Sequence, residues 1–228
     1  MATALRPVDL ALCLAVDVSA SVDFAEFGLM VGGYAAAFRD PAIVAACTGG
    51  PRGAVAVAML FWSGAWPSMN PPSGGPEVAV PWTRVDGAAA AAALADAIDN
   101  APRLPLPGAT ALGEGMAAGL ALLARCPASA TRLVLDVSGD GRHNQGRLPG
   151  PVRDIGVAAG VTLNGLTVLN EEPDLLEHYR AEVIGGPGSF VMDCPDYAAF
   201  ATAIREKLAR EIGGLLLSGT DRLSPSVS

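Results

Sequence analysis

The chain has one lysine, Lys207, in 228 residues, and only two histidines, His143 and His178. A phosphate-binding loop of the form G-x-x-x-x-G-K-[ST] therefore has nowhere to form. No G-x-S-x-G elbow is present, and two histidines leave little material for a hydrolytic triad. Arginine carries nearly all the positive charge, and the formal net charge is −8. No basic stretch is clustered, so nucleic acid and anionic membrane surfaces are poor partners. Long apolar runs are also missing. The longest, at 10–16 and 88–95, fall short of the ~20 residues of a membrane span. No N-terminal segment runs from basic to apolar to small residues as a secretory signal does. These absences predict a soluble chain without membrane insertion, cytoplasmic as given, or periplasmic or secreted where a signal has been removed. The four cysteines, Cys13, Cys47, Cys126 and Cys194, share no C-x-x-C spacing and read as scattered thiols, with a single Cys47–Cys126 bridge left open.

What is present is an alternation. Strand patterns occur at 9–17, 54–62, 77–84, 131–138, 161–169 and 189–193. Several are continuous apolar runs, the mark of strands covered on both faces. Residues 77–84 alternate in polarity and carry Pro81, which predicts an edge strand. Helical patterns fill the gaps at 23–38, 87–99, 111–125, 151–159, 173–182 and 196–212. The first opens with Asp23 and Glu26 as a capping box. In the third, Gly115 and Gly119 permit close approach to a sheet. The expected fold class is α/β, a single doubly wound (Rossmann-like), mostly parallel sheet with helices on both faces and one antiparallel edge strand. Residues 8–213 make the domain, 65–76 a Pro/Gly loop, and 214–228 a flexible tail.

In such a sheet, ligands gather beyond the carboxyl ends of the strands, near the point where strand order reverses. Three segments bring oxygen-bearing side chains there. D-V-S-A-S at 17–21 follows the first strand, P-G-A-T-A-L-G at 107–113 places Thr110 ahead of a helix, and S-G-D-G at 138–141 ends a strand at Asp140. Asp17, Ser19, Ser21, Thr110 and Asp140 form a hard-oxygen set suited to Mg²⁺, or to Mn²⁺ in its place. Each has a plainer reading: the serines and Thr110 as helix caps, Asp140 as a turn residue. Asp136 lies ~13 Å back along an extended strand, too far to be a ligand, and needs a buried partner instead. His143 and Asn144 follow Asp140 on a surface loop and are candidates for a partner-binding rim. Trp62 and Trp66 flank Ser63–Gly64 and fit either a core position or that rim, to which Trp62 is provisionally assigned. His178 reads as a solvated helix residue.

D-x-S-x-S after an oily first strand, a Thr before a later helix and an Asp after a further strand resemble the metal-ion-dependent adhesion site of the von Willebrand factor type A domain. The likeness spans residues 8–213. The fuller wording, A-V-D-V-S-A-S-V-D with F-W-S-G and D-V-S-G-D-G, is most similar to an uncharacterised bacterial family of such domains. The resemblance implies that Ser19 and Ser21 coordinate a cation through their hydroxyls, Thr110 directly or through water, and Asp17 and Asp140 mainly through water. It further implies a protein partner whose acidic residue completes the metal shell, and no catalysis. Two other readings stand beside it. One is a Mg²⁺-dependent hydrolase using the same site. Haloacid dehalogenase-type enzymes, however, use D-x-D where this chain has Ser19, and they need a cation beside the phosphate where Lys207 is distant in sequence. The other is a structural domain whose metal steadies three loops.

Overall fold

The computed structural model describes residues 6–65, 76–104 and 108–219, with side chains through residue 214. Trp66, most of the expected Pro/Gly loop, Pro107 and the last nine residues of the expected tail lie outside the described residues. The element order is β1 (Val8–Asp17), α1 (Phe24–Arg39), α2 (Pro41–Thr48), β2 (Val55–Trp62), β3 (Glu77–Val85), α3 (Ala88–Asp99), α4 (Leu112–Leu123), β4 (Ala130–Gly139), α5 (Pro149–Ala158), β5 (Val161–Val168), α6 (Leu175–Glu182), β6 (Val191–Cys194) and α7 (Phe200–Gly219). Among the described residues, six strands run in the order β3-β2-β1-β4-β5-β6. All neighbours are parallel except β2 and β3. The expected edge strand is therefore both at the edge and antiparallel, and Pro81 causes no loss of a central ladder bond.

Strand periodicity divides the core into two layers. Leu10, Leu12, Leu14 and Val16 of β1 face one layer with side chains of α1, α3 and α7. Ala11, Cys13 and Ala15 face the other, with Leu112 and Met116 of α4 and Tyr179 of α6. The small residues on that second face let α4 approach closely. A Cβ at Gly115 would stand 2.5 Å from Cγ of Trp62, and one at Gly119 would stand 2.4 Å from Cδ1 of Leu135. Trp62 is consequently 0% exposed beneath α4. Its assignment to a partner-binding rim is corrected by this packing: it is a core residue.

Two further departures have local causes. The helix α2 falls outside the expected helical patterns, because P-A-I-V-A-A-C-T lacks a polar face. Its signal was the cap: the Asp40 side chain accepts from Ala42 N–H at 2.7 Å, with Pro41 in the first turn. The helix α7 continues to Gly219, beyond the expected end at 212 and into the segment expected to be a tail.

One layer contains buried charge. Asp136, Lys207 and Glu211 are buried, at 0%, 0% and 1% exposure. Lys207 is ion-paired with Asp136 and, at 2.7 Å, with Glu211. Asn164 of β5 donates to Glu211 at 2.9 Å, and Arg132 donates to the Glu211 backbone carbonyl at 2.9 Å. Burial raises the Asp136 pKa, and Glu211 raises it further. Burial by itself would lower Lys207, but the two carboxylates outweigh it and hold the amine protonated. This supplies the partner that Asp136 required, from the one lysine of the chain.

Candidate metal centre

The strand order reverses between β1 and β4, so their carboxyl ends border the crevice at the switch point. Asp17 ends β1, and Asp140 follows the last residue of β4. The turn after β1 is fastened from inside: Asp17 Oδ1 accepts from Ser19 N–H at 2.8 Å, and Ala20 N–H donates to Gly108 O at 2.9 Å. The two serine hydroxyls lie 3.2 Å apart, and Ser21 donates to Asp140 Oδ1 at 2.8 Å. The third segment is tied in by Asn144, whose side-chain carbonyl accepts from Thr110 N–H at 2.8 Å while its own N–H donates to Thr110 O at 3.1 Å. Ser21 and Thr110 open onto one cleft of about 350 Å³.

The plainer readings of these residues do not hold. Asp23 is the cap of α1, in the expected capping box, so neither serine serves that end. Residue Ala111 stands at the cap position of α4, and among the described residues no side chain caps it, so the Thr110 hydroxyl is not spent there. Asp140 holds Ser21 across the site rather than simply closing its own turn.

Charge at the site is unbalanced. Asp17 and Asp140 are both 0% exposed. Among the described residues, Oδ2 of Asp17 has no hydrogen-bond partner, and Asp140 has the Tyr197 hydroxyl as a neighbour on that side of the site. Burial pushes the Asp17 pKa upward and the Asp140 charge adds to it; burial likewise raises Asp140. Two buried carboxylates facing one crevice are costly without a cation. The donors fit a small hard ion: three hydroxyls and two carboxylates, all oxygen. Among the described residues, no three His, Cys, Asp or Glu side chains cluster as metal ligands, which leaves the hydroxyls an essential part of any shell.

Several residues at the site were not legible in the sequence. Arg103 donates through Nη2 to the carbonyl oxygens of Val18, Ser19 and Val22, so one guanidinium clamps the backbone of the D-x-S-x-S turn. Its Cζ lies over the rings of Phe24 and Phe27, 5.1 Å and 5.7 Å from their centroids. Phe24 itself is 80% exposed at the first position of α1. Glu171 and Glu172 wall the cleft. Glu172 is held by Arg142 at 3.1 Å, whereas Glu171 is exposed. Among the expected rim residues, Asn144 lines the cleft, but its carbonyl is occupied in bracing Thr110. His143 is half-buried and outside that lining. His178 is also half-buried, packed edge-on to Tyr179 rather than solvated.

A family model described as a protein of unknown function (DUF1194) matches residues 7–216. No curated protein matches the sequence. Among solved structures, the chain is similar to a von Willebrand factor type A protein from Catenulispora acidiphila, at 18% identity and TM-score 0.61, over 91% of this chain and 43% of that one. It is similar to proximal thread matrix protein 1 from the mussel byssus, in a structure with a zinc-occupied MIDAS motif, at 13% identity and TM-score 0.56, over 92% of this chain and 48% of that one. It is also similar to the vWF domain of the type V pili tip protein Mfa5 from Porphyromonas gingivalis, at 10% identity and TM-score 0.58, over 97% of this chain and 99% of that one. The chain thus spans less than half the length of the first two proteins. At these identities the likeness is one of fold.

Proposed function

The chain belongs to the DUF1194 family of proteins of unknown function and has the fold of a von Willebrand factor type A domain, and from that premise we propose that it is a metal-dependent protein-interaction module. One observation carries the reading. Three hydroxyls free of capping duty meet two buried carboxylates at the switch point of the sheet, with Oδ2 of Asp17 unpartnered among the described residues. Ser19, Ser21 and Thr110 would hold Mg²⁺ or Mn²⁺, with Asp17 and Asp140 as ligands or as acceptors of its water. The ion supplies an electrophilic centre short of anionic oxygen, and an Asp or Glu of a partner protein completes it. The zinc-occupied motif of the byssus protein and the pilus-tip domain support this use of the fold. Asn144, Phe24 and Glu171 would meet the partner at the rim, and His143 belongs there only if its loop turns.

Calorimetric titration with Mn²⁺ and Mg²⁺ tests the cation. Ser19→Ala/Ser21→Ala should lose most of the affinity; unchanged affinity places the ligands elsewhere. Asp17 is buried, not at water as a strand-end charge would be, so Asp17→Asn is the cleaner variant. It should fold as the parent does and lose cation-dependent stabilisation. Capture of partners from the native organism should require Mg²⁺ and fail in EDTA. Binding that survives both EDTA and Asp17→Asn would leave the metal a loop staple.

A further inference from the structure

At the end of the sheet opposite the metal centre lies a groove of about 800 Å³, within the range of small-molecule sites. Its floor is the start of β5, with Thr162 and Asn164. Its walls are Arg132 of β4, Phe190 ahead of β6, and Arg210 of α7. The Arg210 guanidinium lies over the Phe190 ring at 3.8 Å. Phe190 is itself fixed, because its N–H donates to Asn164 Oδ1 at 3.0 Å, Asn164 donates to Glu211, and Glu211 is held by Lys207. Arg132 is fixed by its bond to the Glu211 carbonyl. Arg132 is thus tied to a buried relay, and Arg210 lies over a ring that the same relay fixes, a partly preorganised arrangement rather than loose surface charge.

The charge count gives the ligand its sign. Lys207 and Arg132 together balance Asp136 and Glu211. Arg210 adds one positive charge, and among the described residues no carboxylate pairs with it, although Arg205, five residues earlier on the same helix, pairs with Asp40 at 3.7 Å. The remaining wall is apolar or small: Phe190, Pro187, Ala209 and the glycines at 213 and 214. We infer that this groove is a binding site for a small organic monoanion, a carboxylate carried on an apolar body. Its carboxylate takes the free edges of Arg132 and Arg210, and its body packs against Phe190. The inference is independent of the metal reading, since no residue is shared.

Ligand-detected NMR titration of the full chain tests it, with benzoate as probe and with acetate and benzamide as its two halves. Benzoate should saturate, and each half should bind about tenfold or more weakly, because one lacks the apolar body and the other the charge. Arg210→Gln, a change at an exposed position that leaves folding intact, should weaken benzoate about tenfold. Arg132→Lys should not restore what Arg132→Gln loses, because an ammonium cannot present the planar fork. Arg205→Gln should bind as the parent does. Benzoate that fails to saturate below about 10 mM, equal binding of benzamide, or parent-like binding by Arg210→Gln would overturn the assignment.

Discussion

Replacing Lys207 with Met is the most informative single change in the core. Methionine fills a similar volume but leaves Asp136 and Glu211 buried without their cation. Breaking a buried ion pair from one side typically costs about 3–5 kcal/mol. At roughly 2–4 °C per kcal/mol for a domain of this size, the melting temperature should fall by about 6–20 °C. The loss should depend on pH. Burial and Glu211 already raise Asp136, and removing the amine raises it further. The folded variant then keeps a proton that the unfolded chain has released, so its stability falls as pH climbs from the ordinary carboxylate range toward the raised value. The penalty is therefore smaller at pH 5 than at pH 8. The thiol and phenols facing Asp136 do not blur this window, because burial pushes Cys13, Tyr34 and Tyr179 upward. Asp136→Asn/Lys207→Met/Glu211→Gln, with all three charges removed, should regain most of the loss. Urea unfolding followed by circular dichroism at both pH values provides the measurement. A loss under about 1 kcal/mol, or one that does not change with pH, would refute the account of the triad as a buried, mutually dependent unit.

Other changes separate packing from binding. Gly115→Ala places a methyl against Trp62 and should cost about 1–3 kcal/mol in chemical denaturation, with cation affinity kept. Arg103→Gln frees three backbone carbonyls of the D-x-S-x-S turn and should weaken Mn²⁺ about tenfold by calorimetry; equal affinity would mean the turn holds its shape without the clamp. Saturating Mg²⁺ at about 100 times its Kd should stabilise the parent by about 2.7 kcal/mol, and Asp17→Asn should show no such gain in thermal scans.

The fold was legible because each element announces itself locally. Continuous Val/Leu/Ala runs marked the covered strands, Pro81 marked the edge, and Gly115 with Gly119 marked the helix that lies closest to the sheet. The hydroxyls and carboxylates of the metal centre were legible for the same reason: they are short-range patterns at strand and helix ends. What escaped were contacts made across long stretches of chain. Arg103 reaches back to the first turn, and nothing in its neighbours records that. Trp62 was ambiguous because burial of an aromatic at a strand end depends on the glycine of a helix far downstream. Asp136 could be recognised as needing a partner, but its pairing with Lys207 required the helix α7 to be placed. A pattern does run along the end of β4, where Asp136, Ser138 and, just beyond the strand, Asp140 alternate with Val137 and Gly139. Read as one face, it foretells a polar seam inside the sheet, and Ser138 takes its place there 3.1 Å from the Tyr34 hydroxyl.

The burial of Lys207 also bears on amine chemistry. The chain has no other lysine, and this one has 0% exposure. In the folded protein its ε-amino group is therefore shielded from acylating reagents. An acyl group can reach Lys207 only when α7 lifts from the sheet. The rate at which Lys207 becomes acylated, read by mass spectrometry without any engineered probe, would clock the opening of that helix.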